Sequence, residues 1–507
     1  VESVTKKHRN YDILIIGAGI VGASLARELS AYQIKVAVLD KASDIPAGAS
    51  RANSAMVHAG YDDAPGTVKA RFVAKGNQRY HDLAESLDFT LRECGSYVCS
   101  FREEDQKTLE KLRSRGIENG VPGLEIVSGD VVRKKEPRIS RDVLSALWAP
   151  SGAIVNNFEA VLAFMDNAQQ NGVELFLETE VTGVFLSEKK DRLRGVETNR
   201  GTFHAPVVVN AAGVYSDTIA RMVGDESFRI QPVRGEYFLF DKAAGALVES
   251  FFFTCPTEKG KGVTISRTAD GNLLLGPTAI SQEDRDLTPT TAQGLQEIMQ
   301  ESRQLIPDIP FNLTISSFAG LRASPESGDF HITLLDSPRG FVNIGGIKSP
   351  GLTCAPAIAL HVVESMREEL GDLLSFTKNP SFVPERRHIP RFEQLSMEER
   401  RKLWEADPSY GQIICRCEMV TEGQILEAIR RGARTVAGIK IWTRAGAGRC
   451  QGGFCGPRVV DILARELKLS PEEITRHGGH SNLLVGKTKE YWFRSSGEKK
   501  STKERQI

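Results

Sequence analysis

Apolar positions near the start of the chain come in short unbroken runs. Ile13–Ile16 is one such run, Val36–Leu39 is another, and a glycine turn and a helical stretch lie between them. Four-residue apolar runs bounded by turn signals suit strands buried on both faces, so residues 12–40 predict strand, turn, helix and second parallel strand. The pattern changes several times afterwards. Residues 75–140 predict mainly helix from charged amphipathic segments, and Asn157–Gln170 predicts another helix ending near Asn171 and Gly172. Two short strands follow in residues 173–186 and 193–199, and residues 207–224 repeat the strand, glycine turn and helix arrangement around Ala211, Ala212 and Gly213. Between residues 228 and 320, alternating or apolar runs with Gly-Asn and Asp-Gly turns predict a largely antiparallel sheet. Residues 341–344 then predict a strand, Gly345-Gly346 a turn and residues 353–363 a helix. Residues 377–410 read as a linker with one helix at residues 396–406, residues 411–475 as a small domain, and residues 476–507 as a polar, basic tail containing Tyr491, Trp492 and Phe493.

The turn after the first strand gives this layout its chemistry. Gly17, Gly19 and Gly22 have the GxGxxG spacing, here in its full strand-turn-helix setting. Gly17 permits the tight turn, Gly19 removes the Cβ that would hold a pyrophosphate off the backbone, and Gly22 lets helix and strand pack closely. Free N–H groups and a positive dipole end at the helix start, near Ile20, favour phosphate. Asp40 lies eighteen residues past Gly22, where an acid hydrogen-bonds a ribose hydroxyl. A later strand returning with its own glycine turn is expected of a flavin fold more than of a simple nicotinamide dehydrogenase. The helix after Gly346 points a third positive dipole end inward, toward anionic charge on a reduced flavin. Loops at the carboxyl ends of such strands line the ligand crevice, which places Ser50, Arg51, Asn53, Ser54 and His58 near the cofactor.

Composition narrows the possibilities. In 507 residues, 65 Lys and Arg balance 65 Asp and Glu, so bulk charge points to neither nucleic acid nor an anionic membrane. Length predicts two or three domains. No apolar run approaches membrane-spanning length and the first ten residues lack an apolar signal core, so the expectation is a cytoplasmic protein without an integral membrane segment.

Of eight cysteines, Cys94, Cys99, Cys255 and Cys354 are scattered and read as small buried hydrophobes. Cys415, Cys417, Cys450 and Cys455 cluster late. Four thiolates suit tetrahedral zinc or a [2Fe-2S] cluster. Structural zinc sites run to CxxC knuckles, so the CxC pair followed by a wider pair favours iron-sulfur while leaving zinc and unliganded thiols open. Arg416, Arg430, Arg431, Arg434, Lys440, Arg444 and Arg449 predict a basic face around the motif, and electron transfer to a protein partner is the natural use.

The glycine fingerprint, the loop NSAMVHAGYDDAPGTVKARF, VVVNAAGVYSD, RGEYF, GKGVTISRTADGNLLLGPTA and KSPGLTCAPAIA together resemble the glycine oxidase and D-amino acid oxidase type of flavoprotein. More narrowly they are similar to type II glycerol-3-phosphate dehydrogenases and α-glycerophosphate oxidases, with L-2-hydroxyglutarate dehydrogenases next. The cysteine domain resembles the bacterioferritin-associated ferredoxin type. It departs from the free-standing ferredoxins in having CxxxxC for CxxC, and Asp40 stands where glutamate is commoner. The resemblance implies an α/β fold: a Rossmann-type FAD-binding domain with an antiparallel-sheet substrate domain in residues 1–376, plus an α-rich [2Fe-2S] domain in residues 411–475. FAD-binding segments are expected at 11–75, 150–225 and 318–370, and substrate or cap segments at 76–149 and 226–317. It further implies an enzyme that oxidises sn-glycerol 3-phosphate to dihydroxyacetone phosphate. Expected FAD neighbours are Gly17, Gly19, Ile20, Gly22, Asp40, Lys41, Ser50, Asn53, Ser54, Val181, Ala212, Gly213, Gly346, Lys348, Gly351, Leu352 and Thr353. Lys261, Arg322 and Ser349 fall where substrate is held, and His58 and Arg322 beside the reacting carbon. A phosphate dianion suits the bidentate fork of Arg322 and the point charge of Lys261, which otherwise reads as a solvated turn lysine. An imidazole suits removal of a hydroxyl proton near neutrality. Redox partner subunits in a hetero-oligomer are implied, because a cluster relays single electrons by contact. The alternatives are a 2-hydroxy acid substrate such as L-2-hydroxyglutarate, or a non-catalytic electron-transfer subunit.

Overall fold

The computed structural model describes residues 9–256 and 262–488 and divides into two units, one through His388 and one from Ile389. In the first unit the apolar runs meet side by side. Strand order in its six-stranded sheet is Glu174–Phe176, Val36–Leu39, Ile13–Ile16, Val207–Asn210, Phe341–Gly345 and His331–Leu334. The first five are parallel and the last is antiparallel. Every residue of the four central strands is buried, which explains runs without alternation. On one face the helix Ile20–Ser30 packs against Asn157–Gln170 and Gly351–Glu369, and the latter packs against Val68–Leu87. On the other face lies a four-stranded sheet whose Val181, Leu193, Val196 and Phe203 share a core with Leu14, Ile16, Val208 and Phe341.

A second, mixed sheet of nine strands is built on the long antiparallel pair Ile230–Phe240 and Thr314–Pro325. Residues 75–140 are mainly helical, as expected, but hold three strands that the charged amphipathic pattern did not reveal. Strands Leu91–Glu93, Ser96–Ser100 and Glu125–Ser128 lie among the helices, and Ser96–Ser100 enters the large sheet between Phe251–Thr254 and Ser145–Ala149. All five residues of Ser96–Ser100 are buried, serines included, because Ser100 Oγ pairs with Ser145 and Ser96 Oγ with Tyr61 Oη. The helix Val68–Leu87 runs across the expected boundary after residue 75. Gly76 lets it approach Gly351–Glu369, since a Cβ there would sit 2.0 Å from the Thr353 carbonyl oxygen.

Residues just after Thr377, expected in a linker, are held on the first unit. The buried Arg386 donates to Asp166 Oδ2 at 2.9 Å and to the Leu87 carbonyl, while Asn167 donates to the carbonyls of Val383 and Glu385. In the second unit the helices Glu422–Arg430, Val436–Thr443 and Gly456–Leu467 enclose a core of Ile414, Ile425, Ile439, Val459, Leu463 and Ile474. Thr421 with Gln424 forms a capping box on the first of these helices, and Thr435 caps the second. The expected helix at 396–406 is Met397–Ala406. Of the expected basic tail, residues 489–507, with Tyr491, Trp492 and Phe493, lie outside the described residues. Among the described residues no helix is long and apolar enough to cross a membrane.

Candidate active site and thiol centre

Three segments meet at the carboxyl ends of the parallel strands. Gly17 has φ of +104°, and a Cβ there would lie 2.4 Å from the Ala211 carbonyl oxygen, so the first and second glycine turns are in direct contact. A Cβ at Gly22 would sit 1.9 Å from the Gly17 carbonyl oxygen, which is why the helix can start so close to the turn. Ile20 N donates to Ser50 Oγ at 2.9 Å. Asp40 stays at its strand end, accepting from Ala18 N at 2.7 Å and Ala42 N at 2.8 Å. Burial pushes its carboxyl pKa up against those two hydrogen bonds. Gly213, at φ +59°, opens a 3-10 turn directly after Ala212. Val181 starts the edge strand Val181–Leu186 of the four-stranded sheet, and just before it Thr179 N donates to the Asp40 carbonyl at 2.8 Å. This cradle of side-chain-free backbone fits a dinucleotide pyrophosphate.

Other expected neighbours are partly engaged with protein. Asn53 Nδ2 donates to the Ala49 and Ser50 carbonyls while its Oδ1 accepts from Ala55 N, so Asn53 shapes its own loop. Ser54 is half-buried on that loop. Lys41 Nζ stacks 3.8 Å from the Tyr215 ring centroid and pairs with Asp286 at 3.3 Å. Gly346 takes φ +67°, and Gly351, Leu352 and Thr353 form the first turn of the helix Gly351–Glu369. The Leu352 carbonyl accepts from Tyr80 Oη at 2.8 Å, and Thr353 Oγ1 accepts from His58 N at 2.9 Å.

His58 is thereby fixed between the second strand's loop and that helix. Its Nε2 lies 3.2 Å from Ser349 Oγ. The ring borders a recess lined also by Tyr61, Asp62, Val98, Leu112, Phe253, Thr254 and Pro256. Lys348, beside Ser349, donates to Ser324 Oγ at 3.3 Å on the strand that carries Arg322. Arg322 Nη2 donates to the Thr278 carbonyl at 3.1 Å, and its guanidinium also bonds Tyr237, countering the rise that burial imposes on that phenol's pKa. Lys261 lies outside the described residues. Asn77 and Asn157 carried no sequence signal beyond their helices. Asn77 donates to the His58 carbonyl at 3.1 Å and to that of Ser151 at 2.7 Å, and Asn157 to the carbonyls of Ser50 and Arg51.

In the second unit the four late cysteines sort into two pairs. Cys415 and Cys455 are buried, and the Cys455 thiol hydrogen-bonds Cys415, pulling the Cys415 pKa down to about 6 with help from the N–H groups of Gly446, Glu418 and Cys417. Cys417 and Cys450 are exposed, with sulfurs 3.6 Å apart. Among the described residues no three His, Cys, Asp or Glu side chains gather closely enough to hold one metal ion. Two thiol pairs fit a two-iron centre better than a single tetrahedral ion. The expected basic face is reduced: Arg430 and Arg431 pair with Glu427, Arg444 with Glu418, and Arg434 donates to the Ile429 and Ala433 carbonyls. Arg416 stacks 5.0 Å over the ring of Phe454, which is 61% exposed.

A parallel sheet with three glycine turns, and a separate four-thiol unit, define a flavin-dependent oxidoreductase with an iron-sulfur domain. The chain belongs to the FAD dependent oxidoreductases, the family that matches residues 12–365, and residues 413–465 match the BFD-like [2Fe-2S] binding domain, so FAD and a [2Fe-2S] cluster are its cofactors. Its relatives include glycerol 3-phosphate enzymes and, over a shorter stretch, L-2-hydroxyglutarate dehydrogenases. It is 44% identical over 481 residues to a glycerol 3-phosphate dehydrogenase of Caloramator mitchellensis, covering 94% of this chain and 99% of that one. It is 30% identical to a glycerol 3-phosphate oxidase of Mycoplasma genitalium, over 73% of this chain and 97% of that one. Dithionite-reduced L-α-glycerophosphate oxidase from Mycoplasma pneumoniae, solved with FAD bound, superposes with a TM-score of 0.70 at 29% identity, covering 74% of this chain and 98% of that one.

Proposed function

We propose that this chain oxidises sn-glycerol 3-phosphate to dihydroxyacetone phosphate and delivers the electrons through its [2Fe-2S] domain to a partner protein. The reading rests on the 44% identity to a glycerol 3-phosphate dehydrogenase, which runs through the cluster domain as well as the oxidoreductase domain. When bound, FAD supplies a two-electron acceptor for the C2 hydride and the cluster a one-electron relay. The glycine turns at Gly17 and Gly213 and the helix starts at Ile20 and Gly351 hold the cofactor with backbone N–H groups and positive dipole ends. His58 removes the C2 hydroxyl proton, and Ser349, 3.2 Å from its Nε2, sets the ring's orientation. Arg322 and Lys261 hold the phosphate as fork and point charge.

Cys415, Cys417, Cys450 and Cys455 hold the cluster. The exposure of Cys417 and Cys450, beside Phe454 and Arg416, supports electron exit by contact with another redox subunit. The test is product analysis. Holoprotein with glycerol 3-phosphate and a one-electron dye should form dihydroxyacetone phosphate in step with dye reduction. Dye reduction without that product would refute the assignment.

A further inference from the structure

The cation-π stack of Lys41 on Tyr215 joins two segments that a strand separates. Lys41 follows Val36–Leu39, Tyr215 follows Val207–Asn210, and Ile13–Ile16, which leads into the glycine turn, lies between them. Strands on either side of a central one are roughly 10 Å apart, so side chains that meet from the outer two arch across the end of the middle one. The Lys41 ammonium and the Tyr215 ring centroid are 3.8 Å apart, and the strand between their two segments leads into the Gly17–Gly19 turn, where a pyrophosphate would be held. A third segment closes the arch. Asp286, from the loop after strand Ile280–Ser281 of the large sheet, accepts from Tyr215 Oη and pairs with Lys41 Nζ at 3.3 Å.

That loop is anchored firmly. The Arg285 guanidinium grips both carboxylate oxygens of Asp217, whose side chain is 1% exposed. It also donates to the Val214 carbonyl at 2.7 Å, Thr218 Oγ1 at 3.1 Å and the Ile230 carbonyl at 3.2 Å. Asp284 Oδ1 accepts from the N–H groups of Asp286 and Leu287 at 2.8 Å each, fixing the direction in which Asp286 is presented. Oxidation of an alcohol at His58 uses none of these groups.

We propose that Lys41, Tyr215 and Asp286, anchored by Arg285, form a latch over the adenosine half of bound FAD and govern the rate at which the cofactor leaves. The proposal rests on FAD occupying the glycine cradle. The latch adds retention, because a dinucleotide seated on the Gly17–Gly19 turn leaves only after the arch opens. Lys41 and Asp286 are 44% and 77% exposed, so their pair responds to salt.

The test follows release of FAD from holoprotein by the rise in free-flavin fluorescence, beside the unfolding temperature of the apoprotein. Loss of an exposed ion pair and a phenol-carboxylate hydrogen bond should speed release about fivefold in Asp286→Ala, with Asp286→Glu restoring the slow rate. Arg285→Ala should speed release by at least as much. Raising salt from about 0.05 to about 1 M should speed release more in wild type than in Asp286→Ala, since only wild type has this pair to screen. The apoprotein of Asp286→Ala should unfold at the wild-type temperature, which separates a latch from a general support. Release from Asp286→Ala and Arg285→Ala within about twofold of wild type, below what such contacts contribute, would overturn the latch. Wild-type protein that fails to take up FAD in the same assay would instead overturn the cofactor placement.

Discussion

Substituting Gly17 by alanine should cost the protein its flavin before it costs the fold. Two separate terms act at this position. The backbone has φ of +104°, which a side-chain-bearing residue holds only at about 1–3 kcal/mol of strain. The added Cβ would lie 2.4 Å from the Ala211 carbonyl oxygen and 3.0 Å from its carbon, and a backbone carbonyl in a central parallel strand's turn yields little. Overpacking of that kind adds about 1–3 kcal/mol. The sum, about 2–6 kcal/mol, falls on the contact between the two glycine turns, and so on the walls of the cofactor cradle. At 1.4 kcal/mol per factor of ten, even the low end weakens FAD binding about 30-fold. Titration of apoprotein with FAD, read by flavin fluorescence and the visible absorption band, measures this directly. Gly17→Ala binding FAD within about threefold of wild type would mean that the turns are not the cofactor's walls, since that is under 1 kcal/mol.

His58→Ala should slow flavin reduction by roughly 10² to 10⁴, the usual contribution of a general base, while Ser349→Ala, which removes one hydrogen bond at 3.2 Å, should slow it by about 2- to 10-fold; stopped-flow reduction under anaerobic conditions compares them. Cys450→Ser should abolish the electron paramagnetic resonance signal of the reduced cluster and block turnover with a protein acceptor, yet leave substrate bleaching of the flavin intact. The Asp217 carboxyl pKa is set by burial, which raises it, and by the Arg285 hydrogen bonds, the Ile230 N–H and nearby cations, which outweigh burial and hold it below the usual range. Its stabilising contribution is therefore present above the ordinary carboxylate value and lost as pH falls through the lowered one. Below about pH 4 thermal unfolding temperatures should drop in wild type and drop less in Arg285→Ala.

Much of the cofactor side was legible because its signals are local. A glycine turn between an apolar run and a helix depends on a few neighbouring residues, and Gly17, Gly213 and Gly346 all occur in the expected setting. Strand Ser96–Ser100 was not legible, because its serines are satisfied by distant partners, Ser100 by Ser145 and Ser96 by Tyr61. The recess beside His58 collects Tyr61, Leu112 and Phe253 from distant segments, and no spacing rule links them. The same holds for the Arg285 grip on Asp217. One misreading was avoidable. Glu427 stands three and four residues before Arg430 and Arg431 on a helix, a spacing that predicts their pairing and hence a weaker basic face than a count of arginines implies.

Substrate identity is tested most directly by mixing oxidised holoprotein anaerobically with glycerol 3-phosphate or L-2-hydroxyglutarate and following the flavin band. Glycerol 3-phosphate should bleach the flavin rapidly and completely, L-2-hydroxyglutarate should not, and the cluster should become reduced after the flavin. Faster bleaching by L-2-hydroxyglutarate, or none by glycerol 3-phosphate in protein carrying full FAD, would contradict a glycerol 3-phosphate dehydrogenase.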